Sequence, residues 1–415
     1  MSSQDMDWCL LDDEPATWFD APSLVEGAAF AARLLEISST IAVDIRPTGL
    51  RVRLPDISRA STVSAAARDA GLAARPDVLA PMSVVLASHR PSDLTAFWQR
   101  ALGYAQGGGE VLLDPLRRDP TIRIRRSTDD RPLRNRVHVD VVRPALEVDR
   151  AALGEPTGPF GVRHADRDGN EVDLVPGSPL TDSPQASDWH QVFGAMACYR
   201  STSSGQQREL AVAAAQIAHD AGFPLLIDLR QGLVVLDSGK DRWEPDAHGL
   251  DLDFTLVAER IQTVARRCGA RADPRLPRCT QLFLDAADIA TVKQFWLVAL
   301  GYEPDPRDGI DDIVDPRRLG PVLAFQQIDV SETRRRDQRN RIHVELAMSA
   351  GAARSRLDRM LAAGGTLLEA TDSGWHVADP EGNELVVVVD RRPSTTDVPS
   401  GPSATSDPTD PTNAP

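Results

Sequence analysis

Cysteine is scarce. The 415 residues contain four, Cys9, Cys198, Cys268 and Cys279, with no CxxC pair among them. That excludes a dense disulfide framework and offers no structural zinc finger, and a reducing cytosol is the simplest setting. Lysine is scarcer still: of 46 basic residues only Lys240 and Lys293 are Lys. The acidic excess gives a net charge of -15, which disfavours nucleic acid and anionic membranes as partners. No apolar run is long enough to cross a bilayer, and the start, MSSQDMDWCLLDDEPATWFD, lacks a basic-then-apolar leader. There is no glycine-rich phosphate loop followed by Lys, no GxGxxG after a strand, no GxSxG and no HExxH. Nucleotide cofactors and serine hydrolysis therefore have no support, and no cofactor is expected.

What the chain does have is repetition. NRVHVDVV at 135–142 returns as NRIHVELA at 340–347. DRDGNEVDLV at 166–175 returns as DPEGNELVVV at 379–388, and LTAFWQRALGY at 94–104 as VKQFWLVALGY at 292–302. Three segments recurring in one order indicate a duplicated module.

The hydrophobic periodicity divides the chain into an A–B–A′–B′ order: 5–78, 79–178, a linker at 179–187, 188–273 and 277–391, then a tail at 392–415. In A, LVEGAAFAARLLEI has helical spacing, IAVDIRPTGLRVRL reads as two strands around a turn, and STVSAAARDAG reads as a second helix. A′ repeats this with QQRELAVAAAQIAHDAG, FPLLIDLRQGLVVLD and FTLVAERIQTVARRCG. In B, the strand MSVVLA leads to the helix DLTAFWQRALG, for which Ser92 or Asp93 is the expected cap. Short strands GEVLLD, TIRIRR and NRVHVDVV, a helix ALEVDRAALG and a strand EVDLV follow, and B′ repeats the series. Trp98 and Trp296 lie at helical core spacing, and the DRDGNE and DPEGNE segments read as turns. The tail, rich in Pro, Ser, Thr and Asp, has almost nothing to bury and reads as disordered.

The ordered set of an FW helix ending in LGY, then NRxHxD/E, then DxxGNE resembles the glyoxalase-like branch of the vicinal-oxygen-chelate superfamily. The resemblance implies an α+β fold in which βαβββ units pair into a curved sheet around a cleft. Metal-using members hold four ligands there. The corresponding positions fall near Ser83, on His138 and on Asp173 in B, and near Gln281, on His343 and on Val386 in B′. Counted module by module, these donors are too few for a divalent ion, so no metal is expected. Alternation puts His138 with Asp140, and His343 with Glu345, on one strand face each. Each pair offers an imidazole beside a carboxylate, with Asp173 able to join the first from a neighbouring strand. Expected catalytic residues are thus His138, Asp140, Asp173, His343 and Glu345, and expected ligand contacts are Ser83, His138, Asp173, Gln281 and His343.

The A modules, with two strands between helices and HGLDLDF at 248–254, resemble pterin carbinolamine dehydratase, a small α/β fold with helices on one face of an antiparallel sheet. The family's paired histidines are missing: Ser39-Thr40-Ile41-Ala42 and Phe223-Pro224-Leu225-Leu226 stand there, and no His follows near Pro55–Ile57 or Asp237–Lys240. Without a group to move a proton to the leaving hydroxyl, a degenerate, structural or lid-forming role is expected.

Three functions fit these residues. The first is metal-independent binding of a small organic molecule in the B clefts, of a sequestration or self-resistance type. The second is a metal-independent lyase, isomerase or cyclase using a His–carboxylate pair. The third is a structural or protein-interaction array. The duplication suggests a monomer with internal pseudo-symmetry, or a homodimer of such chains.

Overall fold

The Asp-Ile-Arg and Asp-Leu-Arg triplets at 44–46 and 228–230 set the register of the A modules. In a computed structural model describing residues 7–11, 14–244 and 252–390, Ala42–Arg46 and Gly49–Arg53 form the predicted hairpin, and Leu226–Arg230 and Leu233–Asp237 its counterpart. The two hairpins join antiparallel, with Asp44 opposite Asp228 and Ile45 opposite Ile227. Alternation sends Val43, Ile45, Ile227 and Leu229 to one face, where the helices Leu24–Ile37, Ala60–Asp69, Ser204–Asp220 and Phe254–Arg267 bury them. Strands Cys9–Leu11 and Glu14–Asp20, unforeseen, extend the sheet beyond the first hairpin.

The opposite face carries the charges. Two carboxylates directly across a strand pair repel. Here each accepts the other module's arginine, Arg46 on Asp228 at 2.6 Å and Arg230 on Asp44, with Arg51 also on Asp44 at 2.6 Å. Burial alone would raise the Asp44 carboxyl, but Arg230, Arg51 and Arg53 hold it well below the usual range. A loop of the first B module, DPLRRDP at 114–120, docks on this face. The Asp114 carboxylate accepts the backbone N–H groups of Leu116, Arg118 and Asp119 at 2.7–2.9 Å, and the loop so folded sends Arg118 to Asp228 and Asp237.

The B modules do not close separately. Each contributes two units. The first spans the strands Met82–Ser88, Ala105–Gln106, Val111–Leu113 and Thr121–Arg126 around the helix Pro91–Leu102. The second has Val137–Pro144, the helix Ala145–Ala151, Arg163–Ala165 and Glu171–Pro179. The third has Cys279–Ala286, the helix Ile289–Leu300, Glu303–Pro304, Ile313–Val314 and Val322–Gln327. The fourth has Ile342–Ser349, the helix Ala350–Ala362, Thr366–Thr371, Gly374–Ala378 and Glu384–Asp390. The first unit pairs with the fourth, Ser83 opposite Glu345, and the second with the third, Gln281 opposite Asp140. Counting ligands module by module therefore groups the wrong residues: Ser83 lies in a different sheet from His138 and Asp173, and Gln281 in a different sheet from His343.

The recurring motifs hold this exchange together. Trp98 Nε1 donates to Asp166 at 2.8 Å, and Asp166 accepts the Asn170 side chain. Asn135 donates to the Asn170 carbonyl at 2.8 Å and accepts the backbone N–H of Arg341 from the other module at 2.8 Å. The copy is reciprocal: Trp296 to Asp379, Asn383 to Asp379, Asn340 to Asn383, and Arg136 N to Asn340. The LGY glycines end their helices at φ 67° and 69°, and Arg143 and Arg356 bond the last helical carbonyls where a Cβ would sit.

Three expectations need correction. The helix after MSVVLA begins at Pro91 with Arg90 before it, and neither Ser92 nor Asp93 caps it. Proline at the first helical position takes that place. The linker is packed: Leu180 and Ala186 are buried, and the Pro184 carbonyl accepts Gln262 Nε2 at 3.0 Å. Strands Thr366–Thr371 and Gly374–Ala378 fall where none was expected. The tail at 392–415 and most of HGLDLDF lie outside the described residues.

Replacing Asn135 or Asn340 with Ala removes one bond within its own module and strands the buried arginine N–H of the other. Each variant is expected to lose on the order of 3 kcal/mol of unfolding free energy in urea titrations, while a surface control such as Arg33→Ala, half-exposed on Asp69, changes little. Asp119, which accepts Thr280 Oγ1 at 3.2 Å, is pushed up to about 7 by burial and by Asp114. The folded protein then holds a proton that the unfolded chain loses near 3.8, so this group's stability is present below that value and lost as pH rises to about 7. Asp119→Asn should gain stability relative to the parent between pH 5 and 7.5; urea midpoints at the two pH values check it.

Candidate functional site

The cleft of the second and third units is built from three strands side by side. His138 and Asp140 alternate on the central strand, Asp173 lies beside Asp140 on the parallel neighbour, and Gln281 lies opposite Asp140 on the antiparallel one. All four project from one face, because paired residues and residues two apart share it. The other face, with Val137, Val139, Val141, Leu282 and Leu284, is core under the helices. Sheet pairing thus brings together four of the expected site residues, three from B and one from B′.

Ligand atoms of His138, Asp140 and Asp173 lie within 4.8 Å of one another. His138 Nε2 is 3.4 Å from Asp140 Oδ1 without hydrogen-bond alignment, and Gln281 Nε2 donates to Asp140 Oδ2 at 3.0 Å. That leaves Asp140 Oδ1, Asp173 Oδ1 and Gln281 Oε1 buried and without hydrogen-bond partners. Arg163 Nε stands 3.7 Å from Asp173, too far for a hydrogen bond. The His138 ring stacks on Phe283, centroids 5.2 Å apart. His138 and Asp140 are buried, while Asp173, Arg163 and Phe283 are half-buried and give the side of access.

Burial lowers the His138 pKa to about 4, helped by Arg134, Arg163 and Arg335 against the opposite pull of Asp285. Burial raises Asp140 to about 7; Asp173 adds to this, while the Gln281 hydrogen bond opposes it. Asp173 is also raised, chiefly by burial. At neutral pH the floor is a neutral imidazole beside two carboxyls that resist ionising together.

One end of the cleft is closed by A′. Val142 and Cys279 pack on Met196, Cys198 and Val235. The loop after the second A′ hairpin strand runs close by, held by Asp241 N and Trp243 Nε1 on the Phe193 carbonyl at 2.9 and 3.1 Å. Its Lys240 pairs with Asp312, and its charge opposes the rise at Asp140. Phe283, Arg163 and Lys240 were not anticipated. The first had a signal: in CTQLFLDA, Gln281 and Phe283 alternate onto the same face.

The first and fourth units form the equivalent cleft with different occupants. Ser83 is opposite Glu345, and Val386 stands beside Glu345 where the other cleft has Asp173. His343 and Glu345 do not form the expected pair: Glu345 accepts Arg125 at 2.6 Å, and His343 Nδ1 has no hydrogen-bond partner. His376 lies across from Val386 and bonds Glu384 at 2.7 Å. Among the described residues no metal-ligand trio forms here.

The family model for the glyoxalase-like domain matches residues 83–175 and 281–388, so the chain carries this domain in two segments. Among solved structures the chain is similar to glyoxalase I from Zea mays, at 11% identity and TM-score 0.37, covering 75% of this chain and 92% of that one. It is similar to a glyoxalase-related enzyme from Fulvimarina pelagi at 22% identity and TM-score 0.20, over 26% and 84% of the two chains. It is also similar to the cppA protein from Streptococcus pneumoniae at 9% identity and TM-score 0.31, over 74% and 97%. No curated protein matches the chain. Among the described residues no helix is long and apolar enough to cross a membrane.

With burial holding His138 and His343 neutral down to about pH 4, side-chain ¹⁵N NMR of chelator-treated protein should show both rings uncharged at pH 5.5. Titration of either near 6.5 would mean that the ring is solvated.

Proposed function

We propose that the protein binds a small, oxygen-bearing organic molecule in the cleft of the second and third units, above a divalent cation held by His138, Asp140, Asp173 and Gln281. The observation that carries this reading is the set of three buried oxygens without partners, on Asp140, Asp173 and Gln281, facing the His138 ring. Buried acceptors in native structures have partners, and a cation satisfies several at once. Two carboxylates, a neutral imidazole and an amide oxygen suit zinc, manganese, nickel or iron. The sequence-based expectation of a metal-free cleft counted His138 and Asp173 as the clear donors in B; Asp140 of the same module and Gln281 of B′ are the additions.

When bound, such an ion would polarise a substrate carbonyl or acidify a coordinated water. The chain's own groups supply the rest. Phe283 offers an apolar wall, Arg163 stands where a substrate oxygen can be oriented, and packing of A′ on Val142 and Cys279 excludes water from one end. The A modules are read here as degenerate dehydratase-like scaffolds serving as lid and brace. Their helix–strand–strand–helix order and the lack of histidines at the expected positions support that role.

Metal analysis of protein purified without chelator tests the reading. About one equivalent of transition metal per chain is expected, falling to background in His138→Ala and Asp173→Ala. If calorimetry of stripped protein finds no saturable site for Zn²⁺, Mn²⁺, Ni²⁺ or Co²⁺, the cation reading is wrong. One specific observation favours a second, metal-independent reading: a carboxyl near 7 beside a neutral imidazole is poised for proton transfer in a lyase or isomerase. In that case ligand binding or turnover persists in chelator-treated protein and is lost in Asp140→Asn.

A further inference from the structure

A separate cavity of about 580 Å³ opens beside the strands Thr366–Thr371 and Gly374–Ala378 and shares no residue with the His138 site. Its volume lies in the range of small-molecule sites. Arg136, from the other B module, lines it and is 1% exposed. Its guanidinium bonds two backbone carbonyls, Glu381 O at 2.6 Å and Gln338 O at 3.4 Å, and its Nε has no partner. No carboxylate of the described residues lies within ion-pair distance.

The duplication supplies an internal control. Arg341 occupies the equivalent place in the repeated NR motif. There Nε donates to Asn170 at 3.0 Å, and the remaining nitrogens reach the carbonyls of Arg131, Leu133 and Gly169. Every guanidinium nitrogen of Arg341 is bonded, whereas Arg136 Nε at the cavity is not. Burial disfavours the Arg136 charge, Asp379, Glu381 and Asp285 support it only from beyond ion-pair distance, and a bound anion is a direct remedy.

The other charged groups narrow the ligand. Arg336 lines the cavity, also without an ion-pair partner and with an unbonded Nε. Glu384 is taken by Arg339 and His376, and Glu381 by the backbone N–H groups of Ala287 and Asp288. Asp337 and Glu369 line the cavity as exposed carboxylates, and Leu368, 49% exposed, offers an apolar contact.

We propose that this cavity binds a small organic monoanion of the carboxylate class, with its charged end toward Arg136 and Arg336 and its organic part on Leu368. The carboxylates of Asp337 and Glu369 disfavour a second negative charge, so phosphate dianions bind more weakly.

The test is calorimetry and thermal shift on the full chain with acetate, pyruvate, benzoate and hippurate, with benzamide as the neutral comparator and phenyl phosphate as the dianion. At least one carboxylate should bind saturably and raise Tm, with benzamide inert and phenyl phosphate weaker. Arg336→Gln, on a half-buried side chain, should weaken that carboxylate by about tenfold. Arg136→Lys should weaken it too, while His138→Ala, which removes the proposed cation, leaves it unchanged. The idea is overturned if no carboxylate of the panel binds better than benzamide, or if binding is unaltered in both arginine variants.

Discussion

The asparagine of each NR motif is the constraint on which the architecture rests. Asn135 and Asn340 each bond an asparagine in their own module and the backbone N–H of an arginine in the other. An amide has one acceptor and one donor end, so each residue can bridge two partners at once. Behind each stands a turn closed by Asp166 or Asp379, itself tied to the buried indole of Trp98 or Trp296. The chain of bonds runs from helix to turn to crossing strand, with the modules' arginine N–H groups as its ends. If each module closed on itself, these amide oxygens would lose their partners in a dry interior, at a cost of a few kcal/mol.

The second constraint is charge in the A sheet. Asp44 and Asp228 face each other in a fully buried strand pair, and the arrangement stands because five arginines converge there. A guanidinium presents five donors in a plane and can serve a carboxylate and a carbonyl together. Arg46 does so with Asp228 and the Arg318 carbonyl, and Arg230 with Asp44 and the Leu116 carbonyl. Both carbonyls belong to B-module loops. An ammonium could not span such sites, which gives a physical reason for arginine at these positions. The same bonds fix where A and A′ sit against the B sheets, and so where A′ closes the end of the His138 cleft.

Periodicity revealed the elements because alternation and helical spacing are local. LVEGAAFAARLLEI, the two A hairpins and NRVHVDVV form the predicted elements within a residue or two. The same alternation placed His138 and Asp140 on one face. What sequence order could not convey was which units pair, since that is decided by long-range contacts between 135–140 and 338–345. That single unknown misassigned Ser83 and Gln281 and lowered the donor count. The role of DRDGNE as a turn was legible from Gly169 and its neighbours. Its role as an anchor for the Trp98 indole was not, because the partner lies 68 residues away. The charged face of the A sheet was equally hidden, because Arg230 on Asp44 and Arg46 on Asp228 each come from the other A module.

Comparing the two clefts position by position shows how duplication frees one copy. Asp173, Gln281 and Asp140 in the first correspond by strand register to Val386, Ser83 and Glu345 in the second. Two of three oxygen donors have been replaced by an aliphatic group and a hydroxyl, and the third is neutralised by Arg125. Arg163 corresponds to His376, and Glu171, which accepts Arg134, to Glu384, which accepts Arg339 and His376. The scaffold bonds are kept in both copies, while the groups over the cleft floor differ. Each sheet draws its two halves from both modules, so the Asn–Arg crossings are common to the two clefts while each floor is set by its own strands.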